Sequence, residues 1–173
     1  MSAKLRDLFA VSLVKGGFRV VYFTNGDPGD EKTKEAIEQR ISDNKSINTE
    51  NIKFLNRLLT PSNLVTTISQ FDAVVAHRLH ANILSYSMKI PHVGIGWSVK
   101  MASFFESVGR SEYFIEADKN LNSEVVFQRV LLTLAEGIDE ERHNSVIQQS
   151  KSGIDVLINE IRNTYSKSCV KEV

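Results

Sequence analysis

Two basic side chains, Arg78 and His80, stand two positions apart at the point where a short apolar stretch ends. That stretch, residues 73–76, has the length of a strand buried on both faces. Residues i and i+2 of a strand point to the same side, so the sequence predicts that Arg78 and His80 share one surface. A guanidinium is a rigid fork that matches a carboxylate or a phosphate, and a histidine transfers protons near neutral pH. The pair predicts a small-anion site, the alternative being that Arg78 pairs with a structural carboxylate and His80 is a buried histidine with a satisfied ring.

A helix that begins near Leu79 strengthens the prediction of an anion site. The first turn of a helix presents backbone N–H groups without intrahelical partners and a partial positive charge. Lys100 lies at the start of the next predicted helix, where a cation opposes the helix dipole and indicates a nearby anion. The alternative for Lys100 is an ordinary exposed lysine.

Gly94, Gly96 and Trp97, which precede Lys100, are further candidates for contact with a ligand. Gly94 and Gly96 lie within a predicted strand and would let the backbone approach a ligand closely. Their spacing is not a dinucleotide fingerprint, because no third glycine follows and they do not form a first strand-to-helix turn. Trp97 is expected either to stack on a sugar or cover the site, or to pack in the core or between domains.

The pair His77 and His80 has the H-x-x-H spacing of some metal sites. No cysteine or acidic residue lies near it at metal-ligand spacing, so the sequence predicts no metal site. Cys169 lies in the polar C-terminal tail, away from any histidine that would activate a nucleophile.

The elements that must position these residues alternate between strands and helices. Apolar runs predict strands at residues 18–23, 52–55, 73–76, 90–96 and 113–115. Periodic segments predict helices within residues 1–17, at 30–41 with Asp30 as cap, at 61–68 with Thr60 as cap, at 79–88, from 98 onward, at 123–136 with Ser123 as cap, and at 139–165. Such alternation is typical of an α/β fold, here a Rossmann-like parallel sheet with helices on both faces. Ligands of such sheets bind outside the carboxyl ends of the strands, where the basic residues fall.

Composition narrows the class of protein. The 173 residues include 21 basic and 21 acidic side chains, so no net field favours nucleic acid or an anionic membrane. A single cysteine excludes a disulfide framework, and no apolar run reaches the ~20 residues that span a bilayer. The N-terminus lacks the apolar core of a secretory signal, so we expect a cytoplasmic protein.

The central stretch, residues 71–109, resembles the polysaccharide pyruvyl transferase family. The family pattern is an aspartate, a short apolar strand, R-L-H-A with an apolar helix, a Pro-led strand ending in glycine, and a lysine with a Phe-containing helix. The matching residues here are Asp72, Val74, Val75, Arg78, Leu79, His80, Ala81, Ile83, Leu84, Pro91, Val93, Gly94, Ile95, Lys100, Phe104 and Gly109. Where the family often has a tyrosine, an acidic residue and a proline before the lysine, this chain has Trp97, Ser98 and Val99.

The resemblance implies the C-terminal domain of a two-domain, GT-B-type fold whose halves face each other across a cleft. The expected organisation is an N-terminal helix at 1–17, a Rossmann-like donor-binding domain at 18–165 and a frayed tail at 166–173. The other half would lie elsewhere in a longer protein, on another chain or in a homodimer. We do not expect this chain to act alone, because the acceptor half of the cleft has no sequence to build it.

The activity that the resemblance implies is transfer of pyruvate from phosphoenolpyruvate to two sugar hydroxyls, as a ketal, in exopolysaccharide or cell-surface polysaccharide synthesis. Phosphoenolpyruvate is then a substrate, no cofactor is needed, and the acceptor is a sugar or a lipid-linked oligosaccharide. His80 would be the general acid. The donor would be bound by Arg78, His80, Lys100, Gly94 and Gly96, with Trp97 at the acceptor or as a cover.

Two other functions fit the same sequence. One is a glycosyltransferase domain that uses a nucleotide-sugar. The other is a non-catalytic remnant that binds an anion or docks onto a partner, for which the amphipathic first helix is the candidate surface.

Overall fold

The computed structural model describes residues 3–44, 47–118 and 121–169. The chain forms two compact units, Met1–Ile138 and Asp139–Val173. The first unit carries all the strands among the described residues, and the second is a single helix. Residues 1–2 and 170–173, which fall in the predicted N-terminal helix and tail, lie outside the described residues. The predicted domain boundaries at 17/18 and 165/166 stay a prediction.

Seven α-helices occur in the described residues. They are α1 Ala3–Lys15, α2 Pro28–Asp43, α3 Pro61–Ile68, α4 Leu79–Ser87, α5 Val99–Ser107, α6 Ser123–Glu136 and α7 Glu140–Cys169. A short 3₁₀ helix, Ser111–Tyr113, precedes the last strand. The predicted order of helices is therefore confirmed, and the last helix extends four residues past the predicted end at Tyr165.

Five short strands form two parallel sheets. The strands are β1 Val20–Tyr22, β2 Ile52–Phe54, β3 Val74–Ala76, β4 His92–Gly96 and β5 Phe114–Glu116. β1 pairs with β2, and β3, β4 and β5 pair in that order, all parallel. The α/β class and the parallel pairing are confirmed. The prediction of one continuous parallel sheet is wrong for the described residues. Among them β1 hydrogen-bonds only to β2, and a cavity lies between the edges of β1 and β3.

β4 is the centre of the larger sheet, and all five of its residues are buried. Its side chains join a core with Met101 and Phe105 of α5 and with Val126 and Val130 of α6. A strand buried on both faces is usually a continuous apolar run, but only Val93 and Ile95 of β4 are large and apolar; His92 and two glycines complete this buried strand.

Side-chain caps determine where three of these helices, α2, α3 and α6, begin. Asp27 caps α2 by accepting hydrogen bonds from the Gly29 and Asp30 N–H groups, with Pro28 in the first turn. The prediction that Asp30 caps this helix is wrong, because Pro28 favours an earlier start and places Asp30 inside the first turn. Thr60 caps α3 as predicted, with its hydroxyl accepting from the Asn63 N–H.

The cap of α6 also differs from the prediction. Asn122, rather than Ser123, accepts a hydrogen bond from the Val125 N–H, at 2.9 Å. Serine and asparagine are about equally good caps, so the sequence alone did not separate the two positions.

The first helix is covered inside its own unit. Ala10 is fully buried and Leu13 is buried where α1 packs against α2 and α6. Ala10 and Leu13 are thus part of the core, and docking of a partner onto this helix stays a prediction.

The second unit, taken by itself, is a long helix with an exposed apolar stripe. Ile154, Leu157 and Ile161 recur at helical spacing and are exposed. Among the described residues, no helix is both long enough and apolar enough to cross a membrane.

Candidate functional site

Two strand-to-helix connections meet at the carboxyl ends of the strands. One runs from β1 to the start of α2 and carries Asp27 and Asp30; the other runs from β3 to the start of α4 and carries His77 and Arg78. A hydrogen-bonded ion pair between Arg78 and Asp30 joins them. This arrangement agrees with the rule that open parallel sheets bind ligands outside the carboxyl ends of their strands.

Arg78 holds Asp30 through a two-pronged contact. Its Nε donates to Asp30 Oδ2 at 2.8 Å, and its Nη2 donates to Asp30 Oδ1 at 2.7 Å. The Asp30 side chain is 14% exposed and the Arg78 side chain is 47% exposed. The hydrogen bond from Arg78 to Asp30 raises the pKa of the guanidinium above its ordinary value. Arg78 is therefore a permanent cation that already has one carboxylate partner, which is the alternative that the sequence left open for it.

Two further charged groups lie beside this pair. Asp27 Oδ1 is 3.7 Å from Arg78 Nη2, beyond hydrogen-bond distance. His77 Nε2 is 3.8 Å from Asp30 Oδ1, and this contact is an ion pair when the imidazole is protonated. The cluster thus combines two carboxylates, one permanent cation and one titratable ring.

Hydrogen bonds between polar groups hold the connection after β1 in place. Arg57 Nε donates to the Gly26 carbonyl at 2.9 Å, and the Thr24 hydroxyl donates to Glu31. Lys34 Nζ donates to Glu31 Oε2 at 2.8 Å. Burial works to raise the pKa of Glu31, but the hydrogen bonds from Lys34 and Thr24 outweigh it and lower that pKa. These contacts hold the loop in one shape, so that the start of α2 presents Asp30 to Arg78.

Gly26 is the residue that makes this loop possible. Its φ is +88°, a region that side-chain-bearing residues rarely adopt, and a Cβ there would lie 2.5 Å from the Leu58 carbonyl oxygen. Residues 24–29 follow a strand, so their sequence predicts either a plain turn or a loop that faces the ligand cleft. The structure shows an ordered turn whose next residues reach Arg78.

His80 lies in a different setting from the one predicted. It is the second residue of α4 and is exposed, so it is not a buried histidine. The expectation that Arg78 and His80 share one side of a strand is wrong, because β3 ends at Ala76 and the helix begins at Leu79. Successive helical residues turn by about 100°, so the two-residue alternation of a strand does not apply. Within the described part of the chain, no hydrogen bond or ion pair joins His80 to Arg78, and its role stays a prediction.

Lys100 and Trp97 lie at the carboxyl end of β4. Trp97 is 75% exposed, and Lys100 is exposed as the second residue of α5. Ser98 occupies the cap position of α5, but its side chain makes no capping hydrogen bond. The predicted position of Lys100 at a helix start is confirmed, whereas the ligand-binding roles of Lys100 and Trp97 stay predictions.

Gly94 and Gly96 lie in β4 as predicted, but the space beside Gly94 is filled by protein. A Cβ on Gly94 would lie 2.4 Å from Cε2 of Phe105. A Cβ on Gly96 would lie 3.5 Å from the Met101 sulfur, an ordinary contact. The absence of a side chain at Gly94 is thus explained by core packing, and a contact of either glycine with a donor stays a prediction.

Asp27, Asp30 and His77 were not predicted as site residues. The only signal was indirect: the loop that contains Asp27 follows a strand, and loops after parallel strands face the ligand side. Which of those residues reaches Arg78 depends on where the start of α2 lies relative to the start of α4, which local spacing does not encode.

A cavity of about 810 Å³ adjoins this cluster, within the first unit. The facing edges of β1 and β3 line it, and so do Asp30 and Arg78. Its size is that of a pocket for a small metabolite. The described residues contain no group of three His, Cys, Asp or Glu side chains placed to hold a metal ion.

Comparison with known proteins identifies one family. The model of the family described as polysaccharide pyruvyl transferase matches residues 3–99, which is more than half of the chain. The match includes α1, both strand-to-helix connections of the site and β4, and it ends at the start of α5. No curated protein and no solved structure matches the chain.

Proposed function

Because the chain belongs to the polysaccharide pyruvyl transferase family, we propose that it takes part in adding pyruvate to a polysaccharide and forms the donor-binding part of the enzyme. The observation that carries this proposal is the position of Arg78. It precedes α4 directly, at the carboxyl end of β3 and at the wall of the cavity. The donor we propose is phosphoenolpyruvate, which brings a carboxylate and a phosphate to the same small volume.

Two sources of positive potential support an anion at this place. Arg78 supplies a guanidinium, and the nine-residue helix α4 supplies the N–H groups of its first turn, which no side chain caps. Together they suit the phosphate or the carboxylate of the donor. Lys100, at the start of α5, supplies a second cation at the carboxyl end of the neighbouring strand β4.

In the proposed reaction His80 is the general acid. It donates a proton to the methylene carbon of the enol phosphate, which leaves the adjacent carbon electrophilic. A sugar hydroxyl forms a C–O bond to that carbon, and its proton returns to His80. The C–O bond to phosphate then breaks, and a second hydroxyl closes the ketal as its proton leaves with the phosphate group. The products are a pyruvate ketal and inorganic phosphate, so no oxidant, reductant or cofactor is required.

The acceptor half of the cleft is proposed to come from a second Rossmann-like domain, as in a GT-B-type architecture. That domain would belong to a longer protein or to another chain. Trp97 and Val99, which are exposed at the carboxyl end of β4, would then face the cleft, with Trp97 placed to stack on a sugar ring.

Calorimetric titration of phosphoenolpyruvate into the chain tests the donor site. Wild-type protein should bind, Arg78→Ala should lose most of the affinity, and Arg40→Ala, a change at an exposed arginine outside both the cluster and the cavity lining, should bind as the wild type does. Titration of a uridine diphosphate sugar is the second arm. Binding of the nucleotide-sugar without binding of phosphoenolpyruvate would favour a glycosyltransferase domain. Folded wild-type protein that binds neither would overturn the proposal of a donor site in this chain.

A further inference from the structure

The surroundings of Arg78 pose an electrostatic problem for an anionic donor. Asp30 makes two hydrogen bonds to the guanidinium and Asp27 lies 3.7 Å from Nη2. A donor with a carboxylate and a phosphate would add negative charge beside two carboxylates. Asp30 therefore either competes with the donor for Arg78 or serves donor binding in another way.

The geometry of the guanidinium separates these two possibilities. A guanidinium has five N–H groups, of which Asp30 takes one on Nε and one on Nη2. The remaining three are one on Nη2 and two on Nη1. The N–H on Nη2 and the adjacent N–H on Nη1 form a second fork at the end of the side chain. Asp30 thus occupies the lateral edge of Arg78 and leaves the terminal edge able to grip a second anion.

Asp30 is also held more firmly than Arg78. It lies in the first turn of α2, its N–H donates to Asp27 Oδ1 at 3.4 Å, and its side chain is mostly buried. Arg78 has a long side chain that is nearly half exposed and would otherwise sample many rotamers. An arginine that is fixed before the donor arrives loses less conformational entropy on binding.

We infer that Asp30 is a positioning residue, which fixes the guanidinium of Arg78 so that its terminal fork faces the carboxylate or the phosphate of the donor. This inference rests on the proposed function, because it takes phosphoenolpyruvate as the donor. Asp30 touches no reacting atom and acts only through Arg78.

The inference and simple electrostatics predict opposite changes in the affinity for phosphoenolpyruvate when Asp30 is replaced by asparagine. Asp30→Asn removes a negative charge beside an anion site, so charge alone predicts tighter binding of phosphoenolpyruvate. Loss of positioning predicts weaker binding, by about 10- to 100-fold if the effect resembles the loss of an outer hydrogen-bond partner at a metal site. Asp27→Asn is the matched control: it removes the same charge from the same loop, keeps a good helix cap, and breaks no hydrogen bond to Arg78.

The experiment is calorimetric titration of phosphoenolpyruvate into wild type, Asp30→Asn, Asp27→Asn, Arg78→Ala and the double variant Asp30→Asn with Arg78→Ala. Thermal unfolding of each variant shows that it is folded. We expect Asp30→Asn to weaken binding, Asp27→Asn to bind as wild type or more tightly, and Asp30→Asn to have no further effect once Arg78 is absent. If Asp30→Asn does not fold, Asp30→Glu replaces it, because it keeps the charge and displaces the carboxylate by one methylene.

The outcomes distinguish failure of the proposed function from failure of the inference about Asp30. Wild-type protein that does not bind phosphoenolpyruvate overturns the proposed function, and the inference with it. Wild-type protein that binds, together with an Asp30→Asn variant that binds equally well or better, overturns the inference alone. A further loss from Asp30→Asn in the absence of Arg78 would show that Asp30 does not act through Arg78.

Discussion

Arg78 and Asp30, 48 residues apart in the chain, form a two-pronged ion pair that joins the loop after β1 to the loop after β3. The pair links two connections that leave two separate sheets. A donor site built around Arg78 therefore depends on the relative position of the starts of α2 and α4 as much as on the motif that contains Arg78.

Replacing Arg78 by lysine should separate binding from stability. Lysine keeps the positive charge but loses the planar fork, so we expect affinity for phosphoenolpyruvate to fall by about tenfold or more. The free energy of unfolding should change by no more than about 1 kcal/mol, because a half-exposed ion pair is screened by water. Calorimetry and urea denaturation measure the two effects. A large stability loss with unchanged affinity would mean that Arg78 is structural only.

Adding a methyl group at Gly94 should destabilise the protein. The new Cβ would overlap the ring of Phe105, which is fully buried, so the core must shift. Overpacking of this kind typically costs about 1–3 kcal/mol. The measurement is the urea midpoint of Gly94→Ala.

Gly96→Ala is the matched control in the same strand, since its Cβ meets the Met101 sulfur at an ordinary distance of 3.5 Å. We expect it to cost clearly less than Gly94→Ala. An equal cost at both glycines would contradict the packing explanation of Gly94. Loss of donor affinity in Gly96→Ala without loss of stability would support the predicted contact of Gly96 with the donor.

His92 should make the protein less stable as the pH falls. It is fully buried, its Nδ1–H donates to the Ile90 carbonyl at 3.0 Å, and it lies among the rings of Tyr86 and Phe105. Burial lowers its pKa from 6.5 to about 4. Below pH 6.5 the unfolded chain therefore takes up a proton that the folded chain does not bind until about pH 4.

This linkage costs up to about 3 kcal/mol of stability by pH 4, and nothing above pH 7, where both states are neutral. Urea unfolding of wild type and His92→Gln at pH 7.0, 6.0 and 5.0 measures it. The wild type should lose stability across this series, and the variant should lose less because it has no imidazole to protonate. Parallel pH dependences in the two proteins would show that His92 is not the titrating group.

Arg110 should be a stability residue rather than a binding residue. Its Nη1 donates to the Gly137 carbonyl at 2.8 Å, its Nη2 donates to Thr133 Oγ1 at 2.6 Å, and its guanidinium carbon lies 3.9 Å from the centre of the Tyr113 ring. Arg110→Met leaves these acceptors without their donors, and Thr133 is fully buried. We expect a loss of about 2–3 kcal/mol.

The control for Arg110 is Arg40→Met at an exposed position outside the cavity lining, which should change stability by less than about 0.5 kcal/mol. Urea denaturation of both variants makes the comparison, and calorimetry with phosphoenolpyruvate should show equal affinity in the two. A donor affinity that falls in Arg110→Met alone would contradict a purely structural role.

Trp97 should report on the carboxyl end of β4 by its fluorescence. It is the sole tryptophan of the chain and is largely exposed, so its emission should be that of a hydrated indole and acrylamide should quench it readily. An acceptor sugar that stacks on the ring should shift the emission to shorter wavelength and protect it from acrylamide. Oligosaccharide acceptors that bind and leave both signals unchanged would exclude a stacking role for Trp97.

The sequence by itself determined the order of strands and helices, the parallel pairing, and the position of Arg78 between the end of β3 and the start of α4. The elements and the position of Arg78 follow from side-chain periodicity and capping residues within a few positions of each other, and the parallel pairing follows from the alternation of strands and helices along the chain. The expectation for His80 failed for another reason: the alternation of a strand was applied to residues beyond its end, although the pattern itself placed the helix start near Leu79.

Tertiary structure alone decided which groups meet at the site. No local pattern pairs Arg78 with Asp30, since they lie in different connections and are brought together by the arrangement of α2 and α4. In the same way, only the tertiary structure shows that Phe105 of α5 fills the space where a side chain at Gly94 would lie. Contacts between residues distant in sequence depend on how whole elements pack, because many arrangements satisfy the same local periodicities and only the packed core selects among them.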